Sequence, residues 1–217
     1  MGPGVRTAEP QRPGPIYNRI AGQSIERIAA LSDGIFAVAM TLLVLDLRVP
    51  AAGTAGLAHA LAGLAPHLLV YLMSFMTLGI FWVGQQTQLN HLAQADRNLA
   101  WIHLGFLFAV TLMPFSTGLI GSFIAARLAL LAYWVNILLP GIALFAAWRY
   151  ATRAGLISPD APAGIGRAVE RRIVIAQALY AAGAALCAIS TYWSLGFMVL
   201  VQINYVLAPR IFGLDRL

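Results

Sequence analysis

The chain has 217 residues, of which 60% are hydrophobic and only 10% charged, and its mean hydropathy is +0.78. Soluble domains average roughly 45–50% apolar and about 25% charged residues. This composition therefore indicates an integral membrane protein, and it excludes a soluble enzyme, a disulfide scaffold and a nucleic-acid-binding module. The net charge of +6 is the difference between 14 basic residues, all of them arginines, and 8 acidic ones. In a membrane protein, such arginines are topology signals.

Residues 1–24 are rich in Pro, Gly and Arg and lack an apolar core, so we predict a short flexible cytoplasmic arm. Residues 25–213 are expected to form one all-α transmembrane domain, and residues 214–217 a cytoplasmic tail. Because a span needs about 20 apolar residues, the four long runs without charge divide into six transmembrane helices. We place these helices at 26–48, 57–86, 97–120, 122–149, 168–189 and 194–212.

Prolines and one polar cluster set the internal breaks. Pro66 either kinks the second helix or marks its true start, and Pro114 interrupts the third. The last uncharged run, residues 173–209, is too long for one span and divides at the polar cluster between Ser190 and Ser194.

The arginines test the six-span topology. Twelve of the 14 fall on the side of the two termini, and only Arg48 and Arg127 fall on the other. Positive charge collects on the cytoplasmic side. The sequence therefore predicts a multi-pass protein of the cell (inner) membrane with both termini in the cytoplasm.

The first helix contains an acidic residue, Asp33, about one and a half turns from its start. A buried carboxylate in a span costs several kcal/mol unless it is paired or hydrated, so a partner on a neighbouring helix is expected. The alternative is that Asp33 lies at the interface and only caps or anchors the helix. Arg27, six residues earlier, points to another side of a straight helix.

Val38, Leu42 and Leu45 follow Asp33 at i, i+4 and i+7 and form one apolar stripe. From the periodicity alone, a helix-packing seam or a lipid-facing side is the simpler interpretation. The Thr41 hydroxyl either bonds its own backbone or lines a polar path. Small residues that allow close helix approach are Gly34, Ala37 and Ala39.

The run RIAALSDGIFAVAMTLLVLDLRVP resembles the first helix of prokaryotic members of the transmembrane protein 175 family, potassium channels related to those of endosomes and lysosomes. The family hallmark is R-x-x-x-F-S-D, followed by an apolar stretch and L-x-L-[DE]-[LI]-x-V-P. The matching residues are Arg27, Ser32, Asp33, Leu43, Leu45, Asp46, Leu47, Val49 and Pro50, with Leu31 in place of the Phe. The run PFST at Pro114 is similar to the family's third-helix pattern.

The resemblance implies an unconventional cation-channel fold, a homotetramer of six-helix subunits whose pore is lined by helix 1 of each subunit. Potassium and other monovalent cations would permeate, and no cofactor is implied. By position, the resemblance makes Val38, Leu42 and Leu45 the pore constriction and Thr41 a neighbouring residue that affects selectivity. The chain has no T-V-G-Y-G loop, so a hydrophobic constriction that gates by dewetting is expected instead of a carbonyl filter.

The resemblance also implies that Arg27, Ser32 and Asp33 form an inter-helix polar network that holds the pore helix. Asp46, at the outer mouth, could raise the local cation concentration, although Arg48 would offset it; an ordinary interface charge is the alternative.

Besides Leu31, three positions depart from the family pattern. Relatives often have histidines where this chain has Gln85 and Gln86, and an amide cannot titrate. Val38 is smaller than the usual Ile or Leu, which predicts a wider constriction.

The alternative function is a proton- or cation-coupled secondary transporter in which Asp33 is the coupling site. A carrier built from repeats would have broken helices in both halves, whereas Pro66 and Pro114 both lie in the first half. An intramembrane enzyme is set aside because no catalytic constellation is present, and the four histidines lack metal-site spacing.

Polar and aromatic residues elsewhere have simpler roles. Interhelical hydrogen bonds are expected for Asn136, Gln177, Gln202 and Asn204. Interfacial positions are expected for Trp82, Trp101, Trp148 and Trp193.

Overall fold

The computed structural model describes residues 24–48 and 56–207. Most of the predicted N-terminal arm and the whole predicted tail therefore lie outside the described residues. The α-helices of the described ranges are α1 (Ile25–Leu42), α2 (Leu57–Gly63), α3 (Ala65–Leu89), α4 (Arg97–Thr111), α5 (Met113–Ser122), α6 (Arg127–Arg153), α7 (Ile165–Ala185) and α8 (Thr191–Leu207). Short 3-10 turns extend α1 through Leu43–Asp46 and α7 through Leu186–Ala188.

Five helical segments of the described residues are long and apolar enough to cross a bilayer. They are Ile25–Asp46, Ala65–Leu89, Arg97–Ser122, Arg127–Arg153 and Ile165–Ala188. The helix predicted at 194–212 begins earlier, at Thr191, and 17 of its residues are described; residues 208–212 lie outside. The protein is a multi-pass, almost wholly helical membrane protein.

The largest departures from the predicted helix boundaries are two. The helix predicted at 57–86 is broken at Leu64 into the exposed α2 and the longer α3, with Pro66 in the first turn of α3. The start predicted at residue 122 is wrong, because α5 ends there. Phe123 (φ −130°, ψ 50°) and Ala126 (φ −83°, ψ 118°) leave the helical region before α6 begins.

The prolines act in different ways. Pro114 lies in the first turn of α5, directly after α4 has ended. Pro140 lies inside α6, which continues through it. The sequence reasoning about broken helices overlooked this proline, which places one in a span of the second half as well.

Contacts between loops order the helix ends. The connection from α3 to α4 meets that from α6 to α7 through Ala93 N–H to Leu156 O (2.9 Å) and Ser158 N–H to His91 O (2.8 Å). The Arg127 guanidinium, at the start of α6, donates to Ala188 O (3.1 Å). These pairings place consecutive helix ends on alternating sides of the bundle.

A buried polar cluster ties the bundle together away from α1. The Gln202 amide on α8 donates to the Thr77 hydroxyl at 2.7 Å, and Thr77 lies 3.3 Å from the Tyr133 hydroxyl. The Asn136 amide on α6 is hydrogen-bonded to the Ser116 hydroxyl at 3.0 Å. The interhelical bonds predicted for Asn136 and Gln202 are thereby confirmed.

Candidate functional site

One face of α1 and its C-terminal turn is buried in the bundle. Ser32, Phe36, Ala39 and Leu43 are each at most 2% exposed, and their spacing places them on one side. The Phe36 ring lies 5.9 Å from that of Phe106 on α4. This face packs against α3, α4 and α5, so the helix is fixed from behind.

The opposite face carries the predicted constriction residues. Val38 is 58% exposed, Leu42 43% and Leu45 68%. Thr41 is exposed beside them, and its hydroxyl donates to Val38 O at 2.9 Å, so it bonds its own backbone. A groove of about 430 Å³ follows this face as far as Thr111 on α4. Among the described residues, nothing buries this stripe.

Asp33 has two hydrogen-bond donors on α3. Its Oδ1 accepts from Trp82 Nε1 at 2.7 Å and from Gln86 Nε2 at 3.1 Å. Trp82 and Gln86 are four residues apart and so lie on the same side of α3. The expected partner of the carboxylate is therefore a pair of neutral donors, which link α1 to α3.

Ser32 belongs to a separate, buried chain of hydrogen bonds. Its hydroxyl donates to Ile28 O (2.7 Å) and accepts from Gln85 Nε2 (2.9 Å). The same amide nitrogen lies 3.2 Å from His103 Nδ1 on α4. This chain joins α1, α3 and α4 behind the exposed stripe.

The structure does not bring the Arg27 side chain into either set of bonds. Arg27 is exposed and uses its backbone N–H, which donates to the Ser24 hydroxyl at 3.2 Å and caps α1. Among the described residues, the polar contacts behind α1 therefore involve Ser32 and Asp33. Val49 and Pro50, the last residues of the first-helix motif, lie outside the described ranges.

Asp46 lies against α5 at the other end of α1. A Cβ added to Gly118 would be 3.1 Å from both carboxylate oxygens of Asp46, so any larger residue there would press the carboxylate away. Asp46, Arg48 and His67 line an open cleft of about 700 Å³. The carboxylate and the Arg48 side chain thus line the same cleft.

Sequence reasoning missed two residues of these networks. Trp82 was assigned to an interfacial belt and His103 to no role, yet they contact Asp33 and Gln85. The available signal was the spacing of Trp82, Gln85 and Gln86, which places an indole and two amides on adjacent positions of one helix.

Known proteins are similar to this chain over the helices just described. The family model described as endosomal/lysosomal potassium channel TMEM175 matches residues 27–114. A potassium channel of Streptomyces collinus is 32% identical over 189 residues, covering 84% of this chain and 84% of the relative. This chain belongs to the TMEM175 family.

Other members of the TMEM175 family agree with it along most of the chain. A potassium channel of Chamaesiphon minutus is 31% identical over 188 residues, covering 83% of this chain and 93% of the relative. The crystal structure of a lysosomal potassium-selective channel TMEM175 homolog from that organism superposes with a TM-score of 0.73 at 29% identity, covering 85% of this chain and 97% of the other. The resemblance found in the first helix is confirmed.

The segment that the family model matches contains α1 from residue 27 onward and the whole of α3 and α4. It therefore includes both hydrogen-bond networks. TMEM175 proteins form a family of ion channels, which is not a class of enzymes. Family membership supports a cation channel for this protein.

Proposed function

We propose that this protein is a potassium-permeable cation channel, formed as a homotetramer in the cell (inner) membrane. Helix α1 of each subunit lines the pore. Val38, Leu42 and Leu45 form a hydrophobic constriction that acts as gate and selectivity element, and Thr41 lies next to it. The proposal rests on the exposed α1 stripe, on a helix whose other face is buried and hydrogen-bonded.

One subunit contributes one stripe, so an ion path enclosed by these side chains needs several copies around an axis. Closed cyclic symmetry gives each copy the same environment, and the relatives with matching first helices are named potassium channels. Small residues beside the stripe, such as Gly34, favour close approach of helices.

An apolar ring conducts only while it is wide enough to stay hydrated. The side chains at Val38, Leu42 and Leu45 carry no group that replaces an ion's water shell, so modest discrimination between monovalent cations is expected. Valine at position 38 would leave the first ring wider than isoleucine would.

The proposed topology has six spans, with α8 as the sixth and both termini in the cytoplasm. Described arginines at the starts of α4 and α7 and at the end of α6 would then share the cytoplasmic side. Asp46 would lie at the outer mouth, where its effect on cation concentration is reduced by Arg48.

Asp33 as the coupling site of a carrier has less support. Its Oδ1 already accepts from Trp82 and Gln86, which suits an anchor for α1. With Ser32 it would hold the pore helix in place without touching ions.

Potassium flux from liposomes tests the channel proposal. Purified protein should pass potassium down its gradient without any counter-substrate, and Leu42→Ala should increase the rate. Flux that stops when a second substrate is removed would instead indicate a carrier. Unchanged permeation in Leu42→Ala would refute the assignment of the constriction.

Native mass measurement tests the assembly. A mass of four subunits is expected in mild detergent. A stable monomer that still conducts would contradict a pore built from one helix per subunit.

A further inference from the structure

A crevice between α3, α6, α7 and α8 lies away from the α1 stripe. Its volume is about 80 Å³. The lining consists mostly of apolar or small residues: Phe81, Gly84, Gly141, Leu144, Ile173 and Ala176. This apolar part of the lining suits a hydrocarbon segment, and the polar side chains of Thr87 and Gln88 line the same space.

The mouth of the crevice carries a cation. Arg172 lines it and is exposed, and its guanidinium carbon lies 5.9 Å from the centre of the Tyr205 ring. Glu170, two residues before Arg172, pairs instead with Arg149 at 3.6 Å. Among the residues that the structure describes, Arg172 forms no ion pair with a carboxylate.

The depth of Arg172 suits a lipid phosphate. It is seven residues from the start of the span Ile165–Ala188, which is about 10 Å along a helix that rises 1.5 Å per residue. The headgroup layers account for the difference between a hydrocarbon core of about 30 Å and a bilayer of about 40–45 Å. With Ile165 at the outer edge of a headgroup layer about 5–7.5 Å thick, the Arg172 backbone lies a few Å inside the hydrocarbon, within reach of the phosphates for a long side chain that extends back toward the surface.

Gln177 adds a polar group deeper in the same crevice. It lies across Gly141 so closely that a Cβ there would be 1.9 Å from the amide nitrogen. Its Oε1 is buried and has no hydrogen-bond partner among the described residues. The interhelical bond predicted for Gln177 is therefore not found there, and the amide keeps unused hydrogen-bonding capacity beside the apolar lining.

We propose that this crevice binds an anionic phospholipid, with the phosphate on Arg172 and part of an acyl chain against Ala176 and Gly84. Charge complementarity selects this occupant, because Arg172 forms no ion pair with a described carboxylate and pockets with basic residues between transmembrane helices bind anionic headgroups. The proposal does not depend on the pore assignment.

Lipid retention tests the site. The full-length protein is placed in nanodiscs of equal parts phosphatidylglycerol and phosphatidylcholine with the same acyl chains, and the lipids kept after transfer to detergent are counted by native mass spectrometry. Phosphatidylglycerol should be retained several-fold over phosphatidylcholine. Equal retention of the two lipids, or none of either, would overturn the proposal.

Matched variants separate the site from general attraction to a basic surface. Arg172→Gln should abolish the preference for phosphatidylglycerol, whereas Arg172→Lys should keep most of it. Arg153→Gln, an exposed arginine at the end of α6, should leave it unchanged. Ala176→Met should fill the crevice and lower retention of both lipids. An equal loss in Arg153→Gln and Arg172→Gln would refute a defined site, and Arg172→Lys still tests the charge if Arg172→Gln does not fold.

Discussion

Two helices of this protein present apolar stripes of similar exposure, yet their surroundings differ. On α1 the stripe of Val38, Leu42 and Leu45 lies on the same helix as Asp33, Thr41 and Gly34. On α6 the exposed residues between Arg127 and Ala146 are large and aliphatic: Leu128, Leu131, Val135, Leu139 and Ile142. A surface that faces lipid needs only apolar side chains, whereas a proposed water-filled path also needs polar groups at its ends. Exposure alone therefore does not separate a pore face from a lipid face.

The buried faces of α1 and α6 also differ in the hydrogen bonds that they make. Behind the α1 stripe, Ser32 and Asp33 bond to α3 through Gln85, Trp82 and Gln86. Behind the α6 stripe, Tyr133 and Asn136 bond to other side chains of the bundle core. The α1 bonds join the proposed pore helix to the rest of the subunit, so changes there should affect permeation as well as stability.

The largest expected effect separates the two stripes directly. Leu42 is 43% exposed and Leu139 is 45% exposed, so Leu42→Ala and Leu139→Ala remove the same atoms from equally exposed positions. We expect Leu42→Ala to raise potassium flux several-fold, because the dewetted ring becomes wider, and Leu139→Ala to leave flux near that of the wild type. Liposome flux at equal protein density measures both. Equal effects of the two changes would remove the distinction between the stripes.

Asp33→Ala removes the acceptor shared by Trp82 and Gln86. Losing these bonds should cost about 1 kcal/mol or more of folding stability, a fall in Tm of about 2–4 °C per kcal/mol for a chain of this size, and should lower flux. Asp33→Asn keeps an acceptor oxygen and should retain part of both properties. Asp160→Asn, an exposed acid in the α6–α7 connection, is the control and should change neither. Normal flux in Asp33→Ala would show that the anchor is dispensable.

These residues also show what sequence could and could not predict. The start of α1 followed from the change from the Pro- and Gly-rich arm to an apolar run, and the periodicity placed Val38, Leu42 and Leu45 on one face. Periodicity does not say which face is buried, since that depends on packing with α3, α4 and α5. Ser32 is fully buried and its neighbour Asp33 is exposed, a contrast that local sequence does not encode.

The sequence also did not allow prediction of the long-range hydrogen-bond partners or of the turn between α5 and α6. Trp82 is 49 positions from Asp33, and no local pattern pairs them. The turn between α5 and α6 was misplaced because the residues on both sides are apolar and the next charge comes only at Arg127. Pro66, in contrast, gave a local backbone signal and correctly marked the start of α3.

Gln86→His should give the anchor a dependence on pH. Imidazole ordinarily titrates near about pH 6.5. The charged form, favoured at lower pH, would form a charge-assisted bond with Asp33, so the variant's stability relative to wild type should be greater at low pH and decrease as pH rises. Thermal unfolding at about pH 5.5 and pH 8 measures the difference as a shift of a few degrees. In the double variant that also carries Asp33→Asn, the pH-dependent shift in thermal stability should vanish. If the shift persists, it does not arise from a bond between His at position 86 and Asp33.

The smallest effect concerns a single methylene at matched positions on the two helices. Val38 is 58% exposed on α1 and Val135 is 43% exposed on α6. Val38→Ile adds a methylene to every copy of the proposed first ring, so the ring narrows and potassium flux should fall modestly. Val135→Ile adds the same group to a face proposed to meet acyl chains, where it displaces only lipid, so flux should not change. Liposome flux at matched reconstitution levels measures both variants. Leu42→Ala, which should raise the flux, provides the comparison in the opposite direction. A decrease shared by Val38→Ile and Val135→Ile would mean that added bulk acts through general packing, and the constriction would then have to lie elsewhere on α1.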